Sequence, residues 1–167
     1  MTPSLYRRVV AVACWVLAAG GCGYSTERPF PQHVRSVYVD LFASKEFRRG
    51  LEMRLTEALR KQIELNTDYV NTGRQRADTI VSGEVLEYRQ AAFVGDFRTD
   101  LPREIGGALV VSFRWKDQRT GKLLAENPRL VQQVEYVPFV GETDFTAIDL
   151  AVDGMARQIV RQMETTW

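Results

Sequence analysis

The sequence predicts an α+β fold. We expect a two-layer sandwich with two helices packed on one face of a mostly antiparallel, four- to five-stranded sheet, in the order β-α-β-β-β-α. Three observations carry that expectation. Phe47, Leu51, Leu55, Leu59 and Ile63 recur every four residues, and Ile148, Val152, Met155, Ile159 and Met163 recur every three or four, each the stripe of an amphipathic helix. Several segments alternate apolar and polar residues with period two and are rich in β-branched and aromatic side chains, as half-buried strands are. Each stripe and each strand face needs cover, and stacking the helices on the sheet supplies both.

The elements follow in order. In "VRSVYVDLF", Val34 to Phe42, alternation places Val37, Val39 and Leu41 on one face and Tyr38, Asp40 and Phe42 on the other. Ser44 stands as an N-cap with Glu46 in the first turn, where the helix dipole favours an acid, so a helix is expected over about 45–64. Asn66 and Thr67 stop it, and a short strand is expected around 68–70. "TIVSGEVLEYRQAAFV", Thr79 to Val94, reads as a long strand in which Gly83 marks a bulge or a close contact. The segment Gly95 to Gly107 reads as a loop. In "LVVSFRWK", Leu109, Val111, Phe113 and Trp115 point one way and Val110, Ser112, Arg114 and Lys116 the other. The turn Asp117 to Lys122 offers Gly121 for a positive φ. A returning strand over about 122–137 is interrupted at Asn127-Pro128, so it is kinked or an edge. A second helix over about 144–165 has its acids early (Asp144, Asp149, Asp153) and Arg157 and Arg161 late.

The amino terminus predicts processing. Arg7 and Arg8 precede 13 uncharged residues, Val9 to Gly21, a run too short to cross a bilayer of roughly 30 Å as a helix. Ala18, Ala19, Gly20 and Gly21 suit a peptidase cleft, and Cys22 follows directly. Ala19-Gly20-Gly21-Cys22 resembles the bacterial lipobox, with Ala19 where Leu is usual. The resemblance implies a leader over residues 1–21, cleavage before Cys22 and acylation of its thiol, the chains adding about 0.8 kcal/mol per buried methylene. A plain secreted protein with an incidental cysteine is the alternative. Cys14 leaves with the leader, so no disulfide is expected. Gly23, not Asp, follows Cys22, which by resemblance to enterobacterial sorting favours the outer membrane. Residues 22–33, with Pro29 and Pro31, read as a lipidated linker, and residues 34–167 as one domain.

Without the 21-residue leader, 146 residues remain, enough for one core. The leader carries two of the 22 basic side chains, so 20 face 21 acids, a balance that gives no reason to expect nucleic-acid binding. Catalytic chemistry is poorly represented. His33 is the one histidine and sits in the linker, whereas a catalytic histidine must be held by packing. Glu84, Glu87, Asp96 and Asp100 offer carboxylates for a general acid–base pair, but charges on a solvent-facing strand are commoner. We expect no enzyme activity, no metal and no cofactor.

Two surfaces could bind. Phe93, Phe97 and Leu101 stand beside Arg98 and Arg103, a set suited to a partner protein or to an amphiphile whose phosphates meet the guanidinium forks. The same aromatics could instead fold back on the core. Arg114, Lys116, Arg119 and Lys122 form a second, basic strand face, either soluble surface or a seat for an anionic glycolipid.

Taken together, Cys22-Gly23-Tyr24, "VRSVYVDLF", "FRRGLEMRLTEALRKQI" with Gly50-Leu51-Glu52 and Leu55-Thr56, Ala77-Asp78 before "TIVSGEVLEY", and the Asp117 to Lys122 hairpin resemble the LPS-assembly lipoprotein family LptE (RlpB). Tyr24 lacks the Leu-Arg-Gly that often follows it, so the chain resembles a divergent member. The resemblance implies an outer-membrane lipoprotein on the periplasmic side that plugs the large β-barrel LptD, pairs with it and binds lipopolysaccharide in transit. No family binding residue aligns by motif. Arg98, Arg103, Arg114 and Lys116 as glycolipid contacts, and Phe93, Phe97 and Leu101 as partner contacts, therefore rest on residue chemistry alone. The alternative is an outer-membrane lipoprotein interaction module, a peptidoglycan-synthase activator or transport auxiliary. A linker of about ten residues at roughly 3.5 Å each is too short to reach the inner membrane.

Overall fold

The computed structural model describes residues 30–31, 33–45, 50–95, 102–136 and 144–164, with backbone alone for 91–95, 102–105, 136 and 144–145. The elements are β1 (Ser36–Val39), β2 (Ala43–Ser44), α1 (Leu51–Asn66), β3 (Val70–Asn71), β4 (Thr79–Gly95), β5 (Pro102–Asp117), β6 (Leu123–Tyr136) and α2 (Asp144–Gln162). The sheet order is β3-β1-β4-β5-β6, with β2 also on β4. β4, β5 and β6 form long antiparallel ladders, whereas β1 runs parallel to β3 and β4, and β2 runs parallel to β4. This is an α+β fold with two helices against a mostly antiparallel open sheet.

The two apolar stripes do what their spacing demands, save that Phe47 lies outside the described residues. Leu51, Leu55, Leu59 and Ile63 of α1 are buried, as are Ile148, Val152, Met155 and Ile159 of α2 and Met163 just beyond it. They meet Val37, Val39, Val81, Val85, Leu109, Val111, Phe113 and Trp115 in one core. A buried residue of this size contributes about 1.5–3 kcal/mol, so the helix–sheet layer is the main source of stability.

Three expectations need correction. Ser44 is not an N-cap: the chain stays paired through β2, with Ser44 opposite Val85 and the Lys45 N–H donating to the Val85 carbonyl. The helix starts at Leu51, behind Gly50 at φ 86°, whose N–H donates to Glu52 Oε1 at 3.3 Å. Leu41 and Phe42 are also out of phase with β1. Leu41 is 59% exposed and Phe42 is 1% exposed. The strand has ended at Val39, and Phe42 turns inward because Gly83 leaves it room: a Cβ on Gly83 would lie 2.4 Å from Phe42 Cε1 and 2.4 Å from the Ser112 carbonyl. Gly83 is thus a close-packing position, and the bulge lies at Val85/Glu87.

The third correction concerns residues 95 to 107. Most of the expected loop is ladder, pairing Gly95 with Pro102, Ala92 with Ile105 and Ala91 with Gly106. Gly107 is a residue type common in loops, but in β5 it serves packing. Here a Cβ at Gly107 would sit only 3.1 Å from Val134 and 3.2 Å from the Tyr88 hydroxyl, which cover that spot. Val110 lies on the face opposite Leu109 and Val111, as alternation predicts, and is buried there at 3% exposure. The Asn127-Pro128 expectation holds: the β5–β6 register shifts there, and β6 is an edge strand. Gly121 holds too, at φ 74°.

Candidate functional site

The outer face of β4, β5 and β6 is the surface that the helices leave open. Strand alternation fixes which residues reach it. Arg114 and Lys116 project outward from β5 because Phe113 and Trp115 project inward, and both cations are exposed. Arg114 stands opposite Ser82 of β4 and Glu126 of β6, while Lys116 stands opposite Ile80 and Leu123. The Lys116 stem leans toward the hairpin turn, its Cε 3.6 Å from where a Gly121 Cβ would be. Arg119 and Lys122 of that turn are exposed as well.

Turn chemistry holds this basic tip in place. Asp117 N–H donates to the Lys122 carbonyl (2.9 Å), Gly121 N–H donates to the Asp117 carbonyl (3.0 Å), and Thr120 N–H donates to Asp117 Oδ1 (2.7 Å). Those Thr120 bonds, the backbone one leading, hold the Asp117 carboxyl below its ordinary value, so it stays ionised beside the cations. Beside Arg114 lies a groove of about 440 Å³ lined in part by Ser82, Glu84, Ser112, Glu126 and Pro128. Its carboxylates make it mixed in charge rather than purely anion-seeking.

Among the described residues, the structure does not bring the candidate cations Arg103, Arg114 and Lys116 together. Arg103 lies near the start of β5, and Arg114 and Lys116 lie near its end. At about 3.3 Å per strand residue, roughly 40 Å separates Arg103 from Lys116, too far for one headgroup to bridge. Phe93 lies on β4 between residues paired to Ile105 and Glu104, at the Arg103 end. Phe97, Arg98 and Leu101 lie outside the described residues, as do Cys22 and the linker residues up to Pro29.

The two described members of the acid–base set are held in ion pairs. Glu84 Oε2 is 2.8 Å from Lys45 Nζ, and Glu87 pairs with Arg89 Nε. Asp96 and Asp100 lie outside the described residues, and His33 is exposed. No helix among the described residues is long and apolar enough to cross a membrane.

Sequence reasoning missed where the linker meets the fold. Phe30 packs edge-on against Tyr69 with ring centres 5.6 Å apart, and Tyr69 lies 6.0 Å from Trp115. The Tyr69 hydroxyl donates to the Pro31 carbonyl at 3.4 Å. Burial, then the neighbouring Asp68 carboxylate, pushes that phenol well above its ordinary value. A shallow groove of about 520 Å³ opens beside these rings, lined in part by Pro31, Trp115, Leu124, Arg161 and Met163. Three aromatics scattered over 85 positions carry no spacing signal, so only the folded chain reveals the trio. Its consequence is positional: the chain enters the domain at the end of β5 that carries Lys116.

Comparisons with known proteins agree with this architecture. No curated protein matches the sequence. Among solved structures, the PelC dodecamer from Paraburkholderia phytofirmans aligns with a TM-score of 0.56 at 13% identity, over 87% of this chain and 100% of that one. Lipoprotein B from Nitrosomonas europaea aligns with a TM-score of 0.56 at 14% identity, over 86% of this chain and 90% of that one. A Xanthomonas campestris protein aligns with a TM-score of 0.52 at 9% identity, over 81% of this chain and 86% of that one. These likenesses establish a shared fold. The LptE family model, described as lipopolysaccharide-assembly, matches residues 34–165, which span every strand and helix above. The chain belongs to the LptE lipopolysaccharide-assembly family.

Proposed function

We propose that this protein is an outer-membrane lipoprotein, anchored on the periplasmic side through an acylated Cys22 after removal of residues 1–21. In this reading it pairs with and plugs an LptD-like β-barrel and assists lipopolysaccharide on its way to the cell surface. It works by binding, without catalysis and without a cofactor. The observation that carries the reading is the family match over residues 34–165. Two features of the molecule support it. Arg114, Lys116, Arg119 and Lys122 gather at one end of the sheet, where phosphate groups of a glycolipid would meet both forked and point-charge donors. The tether enters at that same end, through Phe30.

The decisive experiment is isolation of the protein from membranes in mild detergent. A large outer-membrane β-barrel should accompany it; a lone lipoprotein would overturn the pairing. Arg114→Glu with Lys116→Glu should weaken lipopolysaccharide binding about tenfold or more while leaving the fold intact, since each reversal turns an attraction into a repulsion. Unchanged binding would move the seat to the Phe97 end. Cys22→Ser should release from the membrane fraction every copy that is not seated in a barrel, because those copies are anchored by their acyl chains alone.

A further inference from the structure

The two edges of the sheet are unlike. The β3 edge is two residues long, and its Asn71 side chain is tied back to α1, donating to the Arg60 carbonyl and to Glu64 Oε1, both at 2.9 Å. The β6 edge is 14 residues long, and among the described residues β6 pairs with β5 alone. A long open edge is a template for another strand unless something blunts it. Pro128, which donates no hydrogen bond, blunts its first half. The second half, 129–136, carries no proline.

That half carries a self-complementary pattern. Arg129, Val131, Gln133 and Glu135 are exposed, and Leu130 and Val134 turn toward the core. We propose that β6 pairs antiparallel with β6 of a second copy, with Gln132 on the two-fold axis. In that register Arg129 lies opposite Glu135 of the other copy, Val131 opposite Gln133, and Leu130 opposite Val134. Opposite charges therefore meet on the solvent face and apolar groups meet on the core face. By symmetry each charge pair occurs twice. A two-fold register that matched Arg129 with Glu126 instead would bring Asn127 onto Pro128, where a donor is missing.

Two side chains already serve this edge in the single chain. Asn127 Oδ1 accepts from the Arg129 N–H at 3.0 Å, and Gln132 Nε2 donates to the Gln133 carbonyl at 2.8 Å. We infer that these odd-numbered residues turn their backbone groups away from β5, where a second strand would reach them. Gln132 then acts as a stopper, occupying a carbonyl that pairing would use. An interface of about eight residues a side lies at the small end of specific contacts, so the pairing belongs to the weak, reversible class.

The test is sedimentation of the protein, produced with its own leader, purified in detergent and separated from any β-barrel, over a range of concentrations. The wild type should approach a dimer as concentration rises. Arg129→Glu and Glu135→Arg should each raise the dissociation constant about tenfold, because each turns two cross-strand attractions into repulsions. The double reversal should restore it to within about threefold, since the pairs re-form with signs exchanged. Gln132→Ala should tighten the dimer by freeing the Gln133 carbonyl. Thermal melts verify that each variant is folded. A wild type and Gln132→Ala variant that both stay monomeric, or a double reversal no better than the singles, overturns the proposal. So does a β6 edge that instead engages a barrel strand, with the singles and the double equally impaired.

Discussion

The crossover half of the molecule, β1–α1–β3, and the hairpin half, β4–β5–β6, are held together in different ways. The hairpin half relies on ladders up to 17 residues long, in which each strand supplies its neighbour with backbone partners. The crossover half has strands of two to four residues, too short to hold themselves by pairing. Side chains make up the deficit. Asp78 Oδ2 accepts from the Arg35 N–H (3.0 Å), the Ser36 N–H (2.9 Å) and the Ser36 hydroxyl (2.8 Å). Arg60 donates to the Val39 carbonyl (2.9 Å), and the Thr79 hydroxyl donates to the Ser36 carbonyl (3.2 Å). Thr56 accepts from the Phe42 N–H while donating to the Glu52 carbonyl. Short parallel strands thus need specific residue types, whereas long antiparallel ones leave their outward residues free for other uses.

Substitutions can break that comparison at its joint or sharpen it within one half. Gly83→Val should have the largest effect, about 3 kcal/mol or more, because the new side chain must displace both the Phe42 ring and the Ser112 backbone. Urea denaturation measures it. Adding Phe42→Ala should recover only the ring part, so the two changes should be clearly non-additive. Asp78→Ala comes next, at about 1–2 kcal/mol, for the loss of three hydrogen bonds to one ionised acceptor.

That second change also has a pH signature. The Ser36 hydroxyl first, then the Arg35 backbone N–H, holds the Asp78 carboxyl below its ordinary 3.8. A depressed native value means that the stabilisation is fully present above the unfolded value and is lost as pH falls through the native one. Asp78→Asn should therefore flatten the stability curve below about pH 4 while costing stability at neutrality. The smallest effect belongs to Lys45→Ala, less than about 0.5 kcal/mol, since the Lys45 end of its ion pair with Glu84 is exposed to solvent. A loss as large as that of Asp78→Ala would mean that β2, not the Asp78 cluster, clamps the crossover half.

Much of the fold was legible because period and punctuation are local. The stripes from Leu51 to Ile63 and from Ile148 to Met163, the Gly121 turn and the Asn127-Pro128 break all read correctly. What could not be read depended on distant partners. Ser44 looks like a cap until Val85 is known to lie beside it. Phe42 looks outward-facing until Gly83, 41 positions away, is seen to make room. Gly106 and Gly107 look like a loop until Tyr88 and Val134 cover Gly107. For the candidate site, outward projection of Arg114 and Lys116 followed from alternation. Their distance from Arg103 did not, because Gly106 and Gly107 disguise the true length of β5.

The ring of Phe42 in the hollow at Gly83 has one more consequence. A benzyl group from the first half of the polypeptide is wedged into the sheet of the second, so neither half can disorder without pulling the plug from the other. Heating should therefore give a single sharp transition with the same midpoint whichever half is watched.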